Sequence, residues 1–472
     1  MPAIAVAYLV WLAWPGLAAR FANDDAMNMH GYWQQGWRSL MEAQLHFWGP
    51  HYRPLGGLFY MPIYELAGLN PLPYRIVILA ALAFNTYLTY ITARLLTRSA
   101  IVSFLATILT CFHAAQFVLY FNTSQLYDVF CYTFWYLAFF LYARIRLQQK
   151  FLSWRAAALV LIAYIFALNS KEMGVTLPVM LVVFEVAFHN QTGMFQSGLR
   201  RQTLIKAAMP VVIIGVATLA FVIGKMKGPE SLSNADAYRP RLSPGRFFDS
   251  NAHYAAELLY VDSTDGQQQT IGRSGIRLLW IVMLYLALRF RRPYLYWGFA
   301  NATLGTLPIA FIPDRGGGCL YMPAFGYALF AAAAIHDATR WLSREPLFRW
   351  VHVRPLFSRL ALIVAFLLWY GGKMHGFVQS ALPRWHESQE KTFSALKQLQ
   401  QIRSQIPPGA KIVYLDDPLI DWEMHFLTLL VLDDPAVEIT LQKKHEHLLS
   451  EAELSSYNKI LTFDNGVLKV IR

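Results

Sequence analysis

The feature that most constrains this fold is a series of apolar runs, most of them long enough to cross a lipid bilayer. A helix needs about 20 residues to span about 30 Å of hydrocarbon. The chain of 472 residues is 56% hydrophobic and 15% charged, whereas soluble domains have about 25% charged residues. We therefore predict a mainly α-helical, polytopic membrane protein with about 11 transmembrane helices. The candidate spans, of which the fifth and sixth are short, lie near residues 2–19, 74–94, 100–120, 126–143, 156–169, 175–188, 206–224, 275–290, 294–312, 319–336 and 358–377.

The positive charges predict the orientation of these spans. Lys and Arg concentrate in alternate short loops, whereas the intervening short loops contain only Lys171 and Arg315. Because cytoplasmic loops are enriched in Lys and Arg, we predict a cytoplasmic N-terminus and, with an odd number of spans, a C-terminus on the outer face. The formal net charge of +12 then reflects topology and does not predict nucleic-acid binding. The first run lacks a preceding basic segment and a cleavage site, so we interpret it as a retained span.

Two segments on the predicted outer face are long and contain side-chain patterns typical of helices. In the first outer loop, residues 20–73, Trp and apolar side chains recur at helical spacing over residues 33–48, which is typical of a helix in the membrane interface. The second outer loop, residues 225–274, contains a helical stretch over residues 247–259. We predict an interfacial helix in each loop.

Near residue 381 the composition becomes that of a soluble protein. We therefore divide the chain into a transmembrane domain, residues 1–380, and a small α/β domain on the outer face, residues 381–472. The pattern predicts helices over residues 385–406 and 422–432, strands over 411–415 and 437–441, and a strand or hairpin over 459–471. We expect this domain to cover the outer face, with acceptor binding as the alternative.

Asp24 and Asp25 are adjacent carboxylates directly after the first predicted span. Ionisable groups at the edge of a membrane domain are costly and often functional, and a carboxylate within hydrogen-bond reach of a hydroxyl can act as a general base. The same pair could instead cap the interfacial helix.

Lys171 and Glu172 form a charged dipeptide in the short turn between the fifth and sixth predicted spans. Such charges face either a cavity or each other, and both interpretations stay open. Arg315 precedes three glycines, residues 316–318. These glycines permit a close approach of the backbone to a ligand, or form a flexible loop.

The sequence contains no signature of a resident cofactor. Cys111, Cys131 and Cys319 fall in or beside predicted spans without paired spacing, which predicts neither a disulfide framework nor a metal site. We assign no metal ligand, although the carboxylates could bind a divalent cation.

Five short motifs occur in order along the first 340 residues. They are the acidic pair, Tyr52-Arg53-Pro54-Leu55, Gly-Leu-Asn-Pro at residues 68–71, Ser170-Lys171-Glu172, and Tyr321-x-Pro323-x-x-Gly326. Together they resemble the C-type glycosyltransferases, the superfamily of the protein O-mannosyltransferases and aminoarabinose transferases. Members of this superfamily take a sugar from a polyprenyl-phosphate carrier.

The resemblance implies an inverting transfer of a hexosyl or mannosyl group on the outer face of the membrane. Asp24 or Asp25 would be the general base, and the acceptor would be a hydroxyl of a protein, lipid or glycan. The donor would be a polyprenyl-phosphate-linked sugar. Its phosphate ligands would be Arg53, Lys171 and Arg315, with Tyr52, Glu172 and Tyr321 as supporting residues. The compact chain favours a bacterial inner membrane, with the C-terminal domain in the periplasm.

The chain departs from the superfamily at one motif. An arginine usually stands directly before the late Tyr motif, whereas here Gly318-Cys319-Leu320 occupies that place and Arg315 lies three residues earlier. A non-catalytic scaffold of the same fold is therefore one alternative. A transporter or lipid flippase is the other, although the ionisable residues gather at one face rather than near the bilayer midplane.

Overall fold

The computed structural model describes residues 1–47, 53–193, 201–227, 239–259, 270–313, 315–343 and 355–472. Most of these residues are helical, and the one described sheet is confined to the C-terminal part. The helices are α1 (Pro2–Ala13), α2 (Asn23–Leu45), α3 (Pro54–Ala67), α4 (Pro71–Thr97), α5 (Ala100–Cys111), α6 (Phe117–Phe121), α7 (Leu126–Arg146), α8 (Trp154–Ser170), α9 (Leu177–Ala187), α10 (His189–Thr192), α11 (Arg201–Lys227), α12 (Pro244–Leu259), α13 (Gly272–Phe290), α14 (Pro293–Leu304), α15 (Leu307–Ala310), α16 (Tyr321–Leu342), α17 (Pro355–Ile402), α18 (Glu423–Leu432) and α19 (Glu451–Leu454). The predicted fold class, mainly α with a small C-terminal α/β domain, is confirmed.

The described residues include five helices that are long and apolar enough to cross a membrane. One bent pair, α5 with α6, would make a sixth span. The chain is therefore an integral membrane protein. Each of the eleven predicted runs contains a described helix, but the count of about 11 spanning helices is not confirmed. Some of these helices are short, since α9 has 11 residues and α14 has 12.

Two of the predicted spans are interrupted for identifiable reasons. The run at 100–120 bends by 49° between α5 and α6, and the Phe112 carbonyl at the break accepts a hydrogen bond of 2.9 Å from the Tyr370 hydroxyl. The run at 294–312 ends its first helix at Leu304. Pro308 has no N–H to donate to the Leu304 carbonyl and its ring crowds that carbonyl, which disfavours a continuous helix here.

The centre of the bundle is an aromatic layer on α7. The rings of Tyr132 and Tyr136 are 4.2 Å apart, and the ring of Trp135 lies 6.4 Å from that of Trp297 on α14. All four side chains are fully buried. Large aromatic side chains bury much apolar area at a low cost in conformational entropy, so this layer fixes the position of α7 and the residues at its N-terminus.

Helices α14 and α16 cross so closely that only glycine fits at Gly326. A Cβ atom there would overlap the Gly298 carbonyl oxygen and lie 2.5 Å from the Ala302 nitrogen. We expect Gly326→Ala to lower the free energy of unfolding by about 1–3 kcal/mol, the usual cost of overpacking. Gly215→Ala on α11, where a Cβ would meet nothing within 4 Å, is the matched control. Thermal unfolding of both variants in detergent would check this, and equal stabilities would contradict it.

The described residues of the first outer loop form a structured ledge made of α2 and α3. Helix α2 starts at Asn23, so the acidic pair lies in its first turn, and it kinks at Gly36, where φ is 73°. Gln44 Nε2 donates to the Pro54 carbonyl at 2.7 Å, which joins the end of α2 to the start of α3. The ledge holds the acidic pair at a fixed place beside the bundle.

The C-terminal domain is attached by a continuous helix. The last predicted span and the first helix of the soluble part together form α17, which has 48 residues and contains Pro383. Beyond it lie β1 (Lys411–Tyr414), β2 (Glu438–Leu441), β3 (Lys459–Asp464) and β4 (Val467–Val470) in the order β2-β1-β3-β4. Strand β1 is parallel to β2 and β3, and β3 pairs antiparallel with β4. The strands and α18 agree with the predicted elements to within a few residues, whereas the helix predicted over residues 385–406 is the C-terminal part of α17.

Candidate active site

A cavity of about 920 Å³ opens among the elements that carry most of the predicted site residues. Its walls come from α2, the N-terminus of α7, the turn after α8, the end of α11, α15 and the glycine loop before α16. The predicted residues that line it are Asp24, Arg53, Lys171, Glu172 and Arg315. Asp25 and Tyr321 are not part of this lining, and Tyr52 lies outside the described residues.

The two charges of the Lys171-Glu172 dipeptide have different partners. Lys171 forms a buried ion pair with Asp128 of α7, and its Nζ lies 3.3 Å from Cys319 Sγ. Glu172 Oε2 lies 2.8 Å from Arg53 Nη2. The alternative in which Lys171 and Glu172 pair only with each other is therefore wrong, and both charges face the cavity.

Arg53 is held in place from several directions. Its guanidinium pairs with Glu172 and lies 5.1 Å from the ring centre of Tyr127. Its carbonyl accepts a hydrogen bond of 2.7 Å from the Tyr32 hydroxyl, which is 2.9 Å from the Tyr127 hydroxyl. Arg53 lines the cavity, and a guanidinium in a fixed geometry suits an oxyanion such as phosphate.

The two carboxylates of the acidic pair point in different directions, because successive residues of a helix are rotated by about 100°. Asp25 is fully buried, and it accepts hydrogen bonds of 2.9 Å from the Ala22 amide and the Tyr60 hydroxyl. Asp25 thus caps α2, as the alternative interpretation of the pair expected. Asp24 is exposed to the cavity.

Both carboxyl groups have a raised pKa. Burial raises the pKa of Asp25 to about 7, although the bonds from Ala22 and Tyr60 lower it in part. Asp24 faces the cavity but is otherwise surrounded by protein, and this burial raises its pKa as well. The charges of Arg53 and Arg315 lower the pKa of Asp24 and offset part of this effect. The effect of both arginines on Asp24 shows that cations and carboxylate share one electrostatic environment.

The raised pKa of Asp25 predicts a pH-dependent stability. An aspartate has an ordinary pKa near 3.9, so the folded protein binds more protons at this site than the unfolded chain between about pH 4 and pH 7. The contribution of Asp25 to the free energy of unfolding is therefore present at low pH and lost as the pH rises through about 7. We expect the stability of the wild type relative to Asp25→Asn to fall between about pH 5 and pH 8. Thermal unfolding of the wild type and Asp25→Asn at about pH 5 and about pH 8 tests this. A difference in stability between the two proteins that is the same at both pH values would contradict it.

The three-glycine loop brings Arg315 to the cavity through close backbone packing. A Cβ on Gly318 would lie 2.5 Å from Gln125 Oε1, and one on Gly316 would overlap the carboxylate of Glu257 on α12. Glu257 accepts a hydrogen bond of 3.2 Å from the Gly317 amide. The glycines thus permit contact between backbone and side chains, and the loop is anchored rather than free.

Tyr321 lies in the aromatic core. Its ring stacks on that of Tyr132 at 4.0 Å, and the side chain is 1% exposed. This places it at the start of α16, where it packs between helices.

No protein-family model and no curated protein matches this sequence. Among solved structures, the chain is similar to ArnT from Cupriavidus metallidurans bound to undecaprenyl phosphate, with a TM-score of 0.50 and 15% sequence identity. The match covers 93% of this chain and 85% of that chain. This chain has the C-type glycosyltransferase fold. At this level of identity the likeness establishes the fold, in agreement with the resemblance of the short motifs.

Within this C-type glycosyltransferase fold, sequence reasoning missed two charged residues that line the cavity. Lys225 comes from the end of α11, and Asp128 comes from the first turn of α7. Lys225 could have been found from its position, because a lysine at the predicted outer end of a span departs from the usual charge distribution. The pairing of Asp128 with Lys171 is a tertiary contact that no sequence spacing indicates. Among the described residues, no group of three or more His, Cys, Asp and Glu side chains could hold a metal ion.

Proposed function

We propose that the protein transfers a sugar from a polyprenyl-phosphate donor to a hydroxyl acceptor, with inversion at the anomeric carbon. Asp24 is the general base in this proposal. Arg53, Lys171, Arg315 and the newly identified Lys225 bind the donor phosphate. The donor carries a hexosyl or mannosyl group, and the acceptor is a hydroxyl of a protein, lipid or glycan.

The observation that carries this proposal is the composition of one cavity. It holds an accessible carboxylate, Asp24, together with four cations from four different parts of the chain. A carboxylate with a raised pKa can remove a proton from a hydroxyl, and fixed cations stabilise the charge on a leaving phosphate. One cavity thus offers both groups that the reaction needs.

The proposed step is a single displacement. The acceptor oxygen forms a bond to the anomeric carbon while the bond from that carbon to the phosphate oxygen breaks. Asp24 takes the acceptor proton, and the polyprenyl phosphate leaves with the electron pair. The cations hold the charge that develops on its phosphate.

Apolar residues in the cavity wall suit the lipid carrier. Phe221, Val222 and Met226 of α11 line the cavity together with Ile309 and Ile312. A prenyl chain next to the phosphate would contact these side chains. We further propose that the cavity faces the periplasm of a bacterial inner membrane, with the N-terminus in the cytoplasm.

Two lysines near the end of α11 provide a matched test of donor binding. Lys225 lines the cavity, whereas Lys227 is exposed and does not. We expect Lys225→Gln to weaken binding of undecaprenyl phosphate about tenfold, because a charge-assisted hydrogen bond contributes about 1.5–3 kcal/mol. Lys227→Gln should bind as the wild type does. The shift in unfolding temperature against lipid concentration measures both affinities, and equal affinities would contradict the role of Lys225.

A further inference from the structure

The C-terminal domain is fixed directly against the helix that carries the acidic pair. Helix α18 packs on α2, where the rings of His30 and Phe426 are 5.5 Å apart. The Tyr64 hydroxyl of α3 donates to the Leu430 carbonyl at 3.2 Å. On the other side of the domain, the Arg20 amide donates to Gln389 Oε1 of α17 at 3.2 Å. These contacts give the domain a defined position beside the cavity, so its residues can take part in the site.

The docked edge of the domain brings two acidic residues next to Asp24. Asp421 interacts electrostatically with Asp24, and Glu423 interacts with both Asp24 and Asp25. The Asp421 side chain is 78% exposed, and Lys444 Nζ lies 3.0 Å from its Oδ1. Acidic groups therefore approach Asp24 from the C-terminal domain, whereas the cavity cations come from the transmembrane domain.

Glu423 is an unusual residue at this edge. It is 7% exposed, and its Oε1 has no hydrogen-bond partner among the residues that the structure describes. Burial, together with the charges of Asp24 and Asp25, raises the pKa of Glu423 to about 8. Buried polar groups are nearly always hydrogen-bonded, and a protonated carboxyl can both donate and accept. An unsatisfied carboxyl beside the proposed base is suited to a hydroxyl-bearing ligand.

We infer that the acceptor binds at the docked edge of the C-terminal domain, where Asp421 and Glu423 hold it beside Asp24. The Oε1 atom of Glu423 and the exposed carboxylate of Asp421 both suit hydrogen bonds to hydroxyl groups. The acceptor is therefore a molecule that bears hydroxyl groups. This inference rests on the proposed transfer reaction, and it assigns to the C-terminal domain the acceptor-binding role that the sequence left as the alternative to covering the outer face.

Membranes of the native organism that contain the wild type, Asp421→Asn or Glu423→Gln provide the test. A radiolabelled undecaprenyl-phosphate hexose serves as the donor. We expect either substitution to lower transfer of label to the endogenous acceptor about tenfold, the effect of losing a hydrogen bond to a charged group. Binding of undecaprenyl phosphate, measured by the shift in unfolding temperature, should not change. Asp433→Asn at the other end of α18, where the side chain is exposed, is the matched control and should leave transfer unchanged.

Several outcomes would overturn the inference. Unchanged transfer in both variants would show that Asp421 and Glu423 do not bind the acceptor. A parallel loss of transfer and of undecaprenyl-phosphate binding would show that the residues are structural. If the wild type transfers no label, the proposed function itself fails, and this result is distinct from the others.

Discussion

Replacing Asp24 by Asn should lower the rate of sugar transfer by about 10²–10⁴-fold, the usual contribution of a positioned general base. The substitution keeps the size of the side chain but removes its ability to accept a proton. Because Asp24 is exposed to the cavity, the free energy of unfolding should change by no more than about 0.5 kcal/mol. Initial rates of transfer, compared with thermal unfolding of the same preparations, measure the two effects separately.

Asp25→Asn is the matched control for this prediction. Asp25 is fully buried and caps α2 through the Ala22 amide, so its replacement should lower stability by about 1 kcal/mol and retain transfer. If Asp25→Asn abolished transfer and Asp24→Asn did not, the assignment of the base would be reversed.

The pH profile of transfer gives a further check on the base. Asp24 must be deprotonated to act, and burial raises its pKa, so transfer should fall with decreasing pH at a higher pH than an ordinary aspartate would require.

Lys171→Met should have the largest effect on stability, because it leaves the Asp128 carboxylate buried without its partner. The side chains of this pair are 11% and 5% exposed. Removing one member of a buried ion pair costs about 3–5 kcal/mol, whereas replacing both by apolar residues is often neutral. We therefore expect a large fall in the unfolding temperature of Lys171→Met, and recovery of most of it in Lys171→Met/Asp128→Leu.

Thermal unfolding in detergent measures this pair of variants under identical conditions. Both should lose affinity for undecaprenyl phosphate, because both lack the Lys171 cation. Comparing the single and the double variant therefore separates the effect of Lys171 on stability from its effect on binding of undecaprenyl phosphate. Equal stabilities of the single and the double variant would contradict a buried pair, and would indicate that water in the cavity solvates Asp128.

The sequence predicted the class of the fold because apolar runs depend on composition alone. It did not predict where the runs break. Pro308 was visible in the ninth run, but no residue pattern marked the bend between α5 and α6. The Tyr370 hydroxyl that binds the Phe112 carbonyl at this break belongs to α17 and lies 258 residues further along the chain. The sequence also did not predict that the last span and the helix after it are one continuous helix, α17, because the composition changes near residue 381.

Five of the residues that the sequence selected lie together, whereas Asp25 and Tyr321 are outside the cavity lining. Asp24, Arg53, Lys171, Glu172 and Arg315 were selected from motifs and loop positions, and all five line one cavity. The sequence could not tell Asp24 from Asp25, since the choice depends on which residue starts α2. Here the amide of Ala22 and the hydroxyl of Tyr60 bind Asp25, so Asp24 is left facing the cavity. The contribution of Glu423 depends on the docking of α18 on α2, which no local pattern indicates.

The most direct test of the central claim is transfer from a panel of radiolabelled undecaprenyl-phosphate sugars into membrane fractions, with the wild type and Asp24→Asn compared. The account predicts that at least one donor gives label in a protein, lipid or glycan pool, and that Asp24→Asn abolishes this label while remaining folded. Absence of label from every donor, with both proteins folded, would contradict the account. Movement of intact donor across the membrane in the same experiment would favour a flippase, and neither activity would favour a non-catalytic scaffold.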